Sequence, residues 1–332
     1  MALTPAVSTR CLPISAPAKT QPHPFLGYFL IAGAALCWAL SAVLGKAVFT
    51  GRLIPGAAAL PPLRPIVLAQ MRVTLSLLVM APALLLLRGK AALHIERPLL
   101  LKCLVLGILG LAGANFFYYF AIAKTTVSTA IIVQYTAPAW VLLYMLARGL
   151  EKPSAMRLMA VAAAIVGAAL ATGLFGEAKI EPNVLGIASA LLAAASFSFY
   201  NIYGKHLLQD ANQWLVMTFA LFGASVFWLI VNPPWKVFAA HYSGWQWAFL
   251  AAFAALSMLL PFSLYFAGLH NLGPTRAIVT SCLEPVFAVA GAAIFVGETA
   301  RPLQVMGIVI VLVATVLVQL PDKEQQAALM EP

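Results

Sequence analysis

Apolar residues are grouped in ten long runs, and most of the charged residues lie in the short segments between them. A helix that crosses about 30 Å of hydrocarbon needs about 20 mostly apolar residues, and each run is about that long. Strands of a membrane barrel would instead alternate apolar and polar positions over about ten residues. The pattern therefore predicts an all-α membrane protein with ten transmembrane helices, at 25–49, 66–87, 99–123, 128–147, 155–175, 184–204, 212–232, 245–269, 275–296 and 302–320.

Little of the chain is left outside these helices, and no connecting segment is long enough for a soluble domain. The first 24 residues contain five prolines and no apolar core, which indicates a flexible tail and not a cleaved signal peptide. We expect a Pro-rich cytoplasmic tail over 1–24, five helices over 25–175, five more over 184–320, and a cytoplasmic tail over 321–332.

Composition agrees with a membrane protein. Hydrophobic residues make up 63% of the chain and charged residues 9%, whereas soluble domains carry about 25% charged residues. This excludes a cytosolic enzyme, a disordered chain and a nucleic-acid-binding domain, despite the net charge of +10. The four cysteines have no paired spacing, so we expect no disulfide framework, no metal site and no cofactor.

Basic residues predict the orientation. Counted by side, twelve Lys and Arg fall on the side of the N terminus and seven on the other. Because basic loops stay in the cytoplasm, both termini should be cytoplasmic. Short loops and an alanine-rich sequence suggest a bacterial cytoplasmic membrane.

The two halves of the chain resemble each other. A shift of 159 positions superposes the first helix on the sixth, and a shift of 147 superposes the third to fifth helices on the eighth to tenth. Because five is odd, the second copy must enter the membrane from the opposite side, which gives the inverted repeat of many transporters. The matched pairs include Gly27 with Gly186, Trp38 with Phe197, Lys46 with Lys205, Tyr118 with Tyr265, and Pro138 with Pro285.

Particular motifs suggest a family. Gly-Lys closes the first and sixth helices, proline lies in the fourth and ninth, and Leu283-Glu284-Pro285-Val286 is followed by Gly297-Glu298. Over about 25–320 the chain resembles the EamA-type permeases of the drug/metabolite transporter superfamily. The first half departs from the pattern, with Thr136-Ala137-Pro138 in the equivalent place. The resemblance implies export or exchange of small metabolites such as amino acids, often by proton coupling.

Glu284 is the main candidate for a functional residue. The other nine acidic residues fall in loops or tails, whereas Glu284 lies about two residues from the middle of its run, roughly 2–3 Å from the midplane. Charge inside a bilayer is costly and usually functional. We interpret Glu284 as a protonatable site or a solute ligand in a wet cavity. The alternative is a protonated structural residue that is hydrogen-bonded to a neighbouring helix.

Aromatic and amide side chains recur on the same helical faces, and a cavity that they line would suit a small, partly apolar solute. The alternative is the aromatic belt at the membrane interface. Arg72 is a further candidate as partner of Glu284 or ligand of a solute carboxylate, but we expect it to extend to the interface. The predicted lining residues are Trp38, Asn115, Tyr119, Gln134, Tyr200 and Asn201.

Features at the helix ends allow two interpretations. Lys46 and Lys205 close equivalent helices and could line the two mouths of a pathway, or serve as interfacial anchors. Glu151 and Glu298 precede helices, where carboxylates stabilise the N-terminus. The fifth helix has small residues at Ala160, Ala164, Gly167 and Ala171, which permit close packing within the chain or in a homodimer.

These observations favour a secondary transporter that exports a small metabolite by alternating access, with proton coupling as one means of drive. Its partners would be the solute and the lipid bilayer. The sequence has no G-x-x-x-x-G-K-[ST] loop, which excludes ATP drive within this chain. The alternatives are an intramembrane enzyme, which would need a nucleophile–base or metal cluster, and a non-transporting scaffold. Neither H-E-x-x-H nor G-x-S-x-G occurs.

Overall fold

The computed structural model describes seven ranges of the chain, and the secondary structure in them is helical. Eight helices are long and apolar enough to cross a membrane, and the other two apolar helices, Ala155–Ala171 and Pro302–Leu317, are shorter. The predicted all-α membrane fold is thereby confirmed. The described ranges are 23–49, 65–89, 93–125, 127–173, 183–239, 242–296 and 299–320, with only the backbone described at 42–49, 65–66, 127–128 and 295–296.

The helices are numbered α1 to α10 in chain order, and they follow the predicted runs to within a few residues except at the ends of α5 and α6. Helix α5 stops at Ala171, and α6 continues to Asp210. A short helix, Pro234–Phe238, precedes α8. The bounds are α1 Pro24–Phe49, α2 Pro65–Arg88, α3 Arg97–Lys124, α4a Val127–Gln134, α4b Ala137–Ala147, α5 Ala155–Ala171, α6 Val184–Asp210, α7 Gln213–Val231, α8 Gly244–Asn271, α9a Pro274–Ser281, α9b Glu284–Gly291 with a π-helical continuation Ala292–Val296, and α10 Pro302–Leu317.

Helices α4 and α9 are each broken near their middle. The breaks lie at 135–136 and 282–283, and a proline is the second residue of the segment that follows, Pro138 in α4b and Pro285 in α9b. Proline has no backbone N–H, so it cannot donate to the carbonyl four residues earlier and it interrupts the helix. The carbonyls that lose this donor are those of Gln134 and Ser281.

Helices α3 and α8 each contain a π-helical turn, Leu106–Ala112 in α3 and Ala255–Leu259 in α8. A π-turn accommodates an extra residue and disturbs the regular hydrogen-bond ladder, and such turns often occur at functional sites. The turn in α8 bears directly on the position of Arg72, described below.

Close contacts between α5 and α10 depend on glycine. A Cβ atom on Gly167 would lie 2.8 Å from Cγ2 of Val311 and 3.0 Å from the carbonyl oxygen of Gly307. Ala160, Ala164 and Ala171 are also fully buried. The small-residue face of α5 therefore packs inside the molecule, against α10, and is not available for a second copy of the chain.

Other pairings complete the bundle. Helix α1 packs along α8, and α3 packs along α6. Helices α2 and α7 contact each other, and α2 also contacts the π-turn of α8, while α7 contacts the π-turn of α3. Large apolar side chains on the outer faces, such as Leu86, Val166 and Ile230, are exposed. An exposed apolar surface of this kind is what a lipid-facing bundle requires. The chain is a multi-pass integral membrane protein.

Candidate functional site

A cavity of about 490 Å³ lies inside the bundle, between residues of both halves of the chain. Its walls come from α1 to α6 and from α8 to α10. The exposed residues Thr299 and Ala300, just before α10, line its rim, and Thr172 at the end of α5 lies there too. The cavity therefore reaches the surface at the membrane side on which α5 ends and α10 begins.

Glu284 is part of the cavity wall and is the first residue of α9b, directly after the break. Its carboxyl group shares a side-chain hydrogen bond with Tyr135, which lies at the break of α4. The two broken helices therefore meet through these side chains. Glu284 therefore faces the cavity and also contacts a neighbouring helix, so its position is compatible with both interpretations.

Arg72 also faces the cavity, and the expectation that it extends to the interface is wrong. Its Nη1 donates a 2.9 Å hydrogen bond to the Tyr119 hydroxyl, and its Nη2 donates a 2.6 Å bond to the carbonyl of Ser257. These partners lie on α3 and α8, so they hold the guanidinium inward. The Nε of Arg72 is buried without a hydrogen-bond partner.

The position of Arg72 depends on the π-turn of α8. Ser257 is the central residue of that turn. Because a π-turn breaks the regular i to i−4 ladder, its carbonyl groups can accept from side chains, and the Ser257 carbonyl accepts from Arg72. Arg72 and Glu284 interact electrostatically, but no ion pair joins these two side chains in the structure.

Aromatic rings from α1, α6 and α8 form part of the cavity wall. Trp38, Phe197 and Phe262 line it and form an aromatic floor, with the Trp38 ring 5.2 Å from Phe262 and 6.5 Å from Phe197 between centroids. Beneath the floor, Tyr265 packs on Trp38 at 5.6 Å and Tyr200 packs on Phe262 at 5.8 Å.

Four of the six predicted lining residues come together with Glu284 in this cavity. They come from α1, α3 and α4. The Asn115 amide donates 2.8 Å to the carbonyl of Leu111, so part of its hydrogen-bonding capacity is used within its own helix. The four are Trp38, Asn115, Tyr119 and Gln134.

Tyr200 and Asn201 do not line the cavity, contrary to the prediction. Tyr200 is 1% exposed and Asn201 is 0% exposed. The Asn201 carboxamide accepts a hydrogen bond from Tyr265 and donates one of 2.8 Å to the Phe197 carbonyl. The Tyr200 hydroxyl contacts the sulfur of Met217 at 3.8 Å. Their polar groups are used between helices, because this face of α6 packs on α7 and α8.

Lys205 lies at the end of the bundle away from the rim. Its Nζ donates to the carbonyls of Leu269 and His270, at 3.0 and 2.6 Å. These are among the last carbonyls of α8, where a cation is favourable. The side chain of Lys46 and the whole of Glu298 lie outside the described residues. Glu151 forms an ion pair of 3.3 Å with Arg157.

Sequence reasoning did not select Tyr135. The internal repeat pointed to this position. Tyr135 lies three residues before Pro138, just as Cys282 lies three residues before Pro285 in the second half. Over the part of the chain that the structure describes, no group of three His, Cys, Asp or Glu residues could hold a metal ion. The polar side chains of the cavity wall include one carboxyl group, one guanidinium, amides, phenols, aliphatic hydroxyls and one thiol.

Comparison with known proteins identifies relatives. The EamA-like transporter family matches residues 25–173 and 184–320. The threonine/homoserine exporter RhtA of Salmonella typhimurium strain LT2 is 28% identical over 211 residues, covering 62% of this chain and 67% of that protein. RhtA of Escherichia coli K12 is 27% identical, covering 62% and 66%. The matches thus span about two thirds of these relatives' length.

Two further comparisons extend over more of the chain. The uncharacterized inner membrane transporter YicL of Salmonella typhimurium is 22% identical, covering 69% of this chain and 76% of that protein. A protein of known crystal structure superposes with a TM-score of 0.69, covering 91% of this chain and 99% of the other, at 19% identity. The superposition shows that the two share a fold.

Proposed function

Because the chain belongs to the EamA-like transporter family, we propose that it is a secondary transporter that exports a small organic solute by alternating access. The observation that carries this proposal is the carboxyl group of Glu284, at a helix break on the wall of a cavity of about 490 Å³ that is open at one end. Ionisable residues inside a membrane mark substrate and ion pathways. The relatives named threonine/homoserine exporters support export of an amino-acid-like solute.

The ten helices span the membrane as two inverted five-helix repeats. In support, the shift of 147 positions carries the break at 135–136 onto the break at 282–283. The same shift carries part of the π-turn of α3 onto the π-turn of α8. The packing pairs α1 with α8 and α6 with α3, which is the exchange that an inverted repeat requires.

Both termini are cytoplasmic, and the protein lies in a bacterial cytoplasmic membrane. With this orientation the rim at Thr299 and Ala300 faces outward, and the aromatic floor closes the cytoplasmic side. Lys205 supports that closure, because it joins the end of α6 to the end of α8. Breaking this contact while the rim closes gives the inward-open state.

Glu284 couples transport to protons by binding a proton on one side of the membrane and releasing it on the other. Its carboxyl group interacts electrostatically with the guanidinium of Arg72 and shares a hydrogen bond with the hydroxyl of Tyr135. It also interacts electrostatically with Tyr118 and Cys282. Linkage requires only that the two open states differ in their affinity for the proton.

Counterflow in proteoliposomes tests the proposed function. The purified chain is reconstituted with an internal load of one solute, and entry of the same radiolabelled solute is followed. The panel contains the twenty standard amino acids, simple amines, carboxylic acids and sugars. We expect saturable entry of at least one solute above that in empty liposomes. No entry of any solute by correctly folded protein would indicate a scaffold.

A further inference from the structure

We propose that Arg72 binds the carboxylate, and Glu284 the ammonium group, of a zwitterionic amino acid. This inference rests on the proposed function and assigns the residues that recognise the two charged groups of its solute. Arg72 and Glu284 are the charged side chains among the described residues of the cavity wall, and they have opposite signs. They are not joined in an ion pair, so each keeps its charge available to a solute. Burying unpaired charges is costly, and a bound zwitterion would neutralise both.

The guanidinium of Arg72 is already oriented for a carboxylate. Two of its donors are occupied, Nη1 by the Tyr119 hydroxyl and Nη2 by the Ser257 carbonyl. Arginine has five N–H donors, so three remain, including the buried and unpartnered Nε–H. The planar fork of arginine matches a carboxylate bidentately, which the point charge of lysine cannot do. Because its two protein partners fix the side chain, little entropy is lost when a solute binds.

Several hydrogen-bond acceptors near Glu284 are suited to an ammonium group. An ammonium has three N–H donors. The carboxylate of Glu284 can accept one, since the hydroxyl of Tyr135 occupies only part of its hydrogen-bonding capacity. Further acceptors are close by, because Gln134 and Ser281 line the same cavity and their carbonyls lose their helical donors at Pro138 and Pro285. The helix breaks therefore add acceptors at the end of the site where the positive charge would lie.

Selection by charge follows from this arrangement. A solute with only an ammonium leaves Arg72 unpaired, and a solute with only a carboxylate leaves Glu284 unpaired. A site built to hydrogen-bond a group rejects analogues that lack the group, because its own polar atoms are then left without partners. The aromatic floor of Trp38, Phe197 and Phe262 would contact the side chain of the amino acid and not its charged end.

Equilibrium binding to the purified full chain in detergent tests the inference separately from transport. Each of the twenty standard L-amino acids is measured first, and then the carboxamide and the N-acetyl derivative of the tightest binder. We expect each derivative to bind at least about tenfold more weakly than its parent amino acid. Equal binding of the parent and its carboxamide would overturn the inference.

Variants of Arg72 then assign the carboxylate. Arg72→Gln should weaken binding of the parent at least about tenfold and remove most of the discrimination against the carboxamide. Arg88→Gln, at the exposed end of α2, serves as the matched control and should change neither. If Arg72→Gln does not fold, Arg72→Lys is used, which keeps the charge but not the fork and should therefore weaken binding of the parent more than that of the carboxamide. Unchanged discrimination in the variant that folds would contradict the assignment.

The two proposals fail in different ways. If no amino acid binds but another solute shows counterflow, the substrate class is wrong and the transporter stands. If an amino acid binds with the expected discrimination but neither it nor any other solute is transported, the binding site stands and the proposed function is wrong.

Discussion

The hydroxyl of Tyr119 accepts a 2.9 Å hydrogen bond from Nη1 of Arg72, although the two residues lie 47 positions apart on different helices. With the Ser257 carbonyl on α8 as second acceptor, this bond fixes the direction of the guanidinium. A basic side chain inside the membrane is thus held toward the cavity by neighbours that are distant in sequence. Its role can be examined through Tyr119 without changing the charge.

Tyr119→Phe should weaken binding of the preferred amino acid by about tenfold, because a hydrogen bond to a charged group contributes roughly 1.5 kcal/mol or more. The aromatic ring stays, so the shape of the cavity changes little. Equilibrium binding and the concentration dependence of counterflow measure the effect, and the maximal rate should change less than the affinity. Tyr144→Phe, at an exposed position on α4b, is the control. Wild-type affinity in Tyr119→Phe would mean that Arg72 does not need this partner.

Glu284→Gln should abolish uptake driven by a pH gradient, because the amide keeps the shape of the side chain but cannot exchange a proton. Solute-for-solute exchange should survive with lower affinity, since the amide oxygen still accepts a hydrogen bond from an ammonium group. Insertion and folding should be preserved, because the substitution removes an ionisable group from the membrane interior. The decisive measurement is the response to a pH gradient at matched protein density.

The control for this substitution is Glu96→Gln, in the exposed segment before α3. It should respond to the pH gradient as the unmodified chain does. If Glu284→Gln responds equally well, the carboxyl group is structural and the coupling group lies elsewhere.

Lys205→Met should shift the protein toward its inward-open state, because it removes the donor to the last carbonyls of α8. An interaction of this kind contributes about 1 kcal/mol, which corresponds to a shift of roughly fivefold between the two states. A cysteine at Ala288, on the cavity wall, is introduced after the native cysteines are replaced. Its labelling by an impermeant thiol reagent is compared in right-side-out and inside-out vesicles.

The lysine substitution should raise labelling from the cytoplasmic side and lower it from the outside. Lys102→Met removes an exposed lysine of α3 and should leave both rates unchanged. Equal labelling in Lys205→Met and the unmodified chain would show that this contact does not control access.

Gly167→Ala should destabilise the fold by roughly 1–3 kcal/mol, the usual cost of inserting a methyl group into a filled space. The new Cβ would lie 2.8 Å from Val311 Cγ2 and 2.9 Å from the Val311 amide nitrogen, so α5 and α10 would have to separate. Thermal unfolding in detergent measures the loss. Gly244→Ala is the control, because no atom lies within 4 Å of its added Cβ. Equal melting temperatures for the two variants would contradict the packing described for α5.

Several features could be predicted because they depend on residues close together in the chain. The positions of the apolar helices follow from summed hydropathy over about 20 residues, a local property. Proline breaks α4 and α9 because it has no N–H to donate to the carbonyl four residues earlier. Glu284 could be selected because it is an acidic residue in the middle of an apolar run.

The tertiary structure decided the directions of the side chains. Arg72 faces the cavity and not the interface because the π-turn of α8 supplies an acceptor 185 positions away. Asn201 lies behind the cavity because Tyr265 and the Phe197 carbonyl use its amide. The small residues of α5 pack internally because α10 carries a glycine opposite them. Such outcomes depend on contacts between distant segments, whereas the sequence by itself determined where the helices lie and which charged residues enter the membrane.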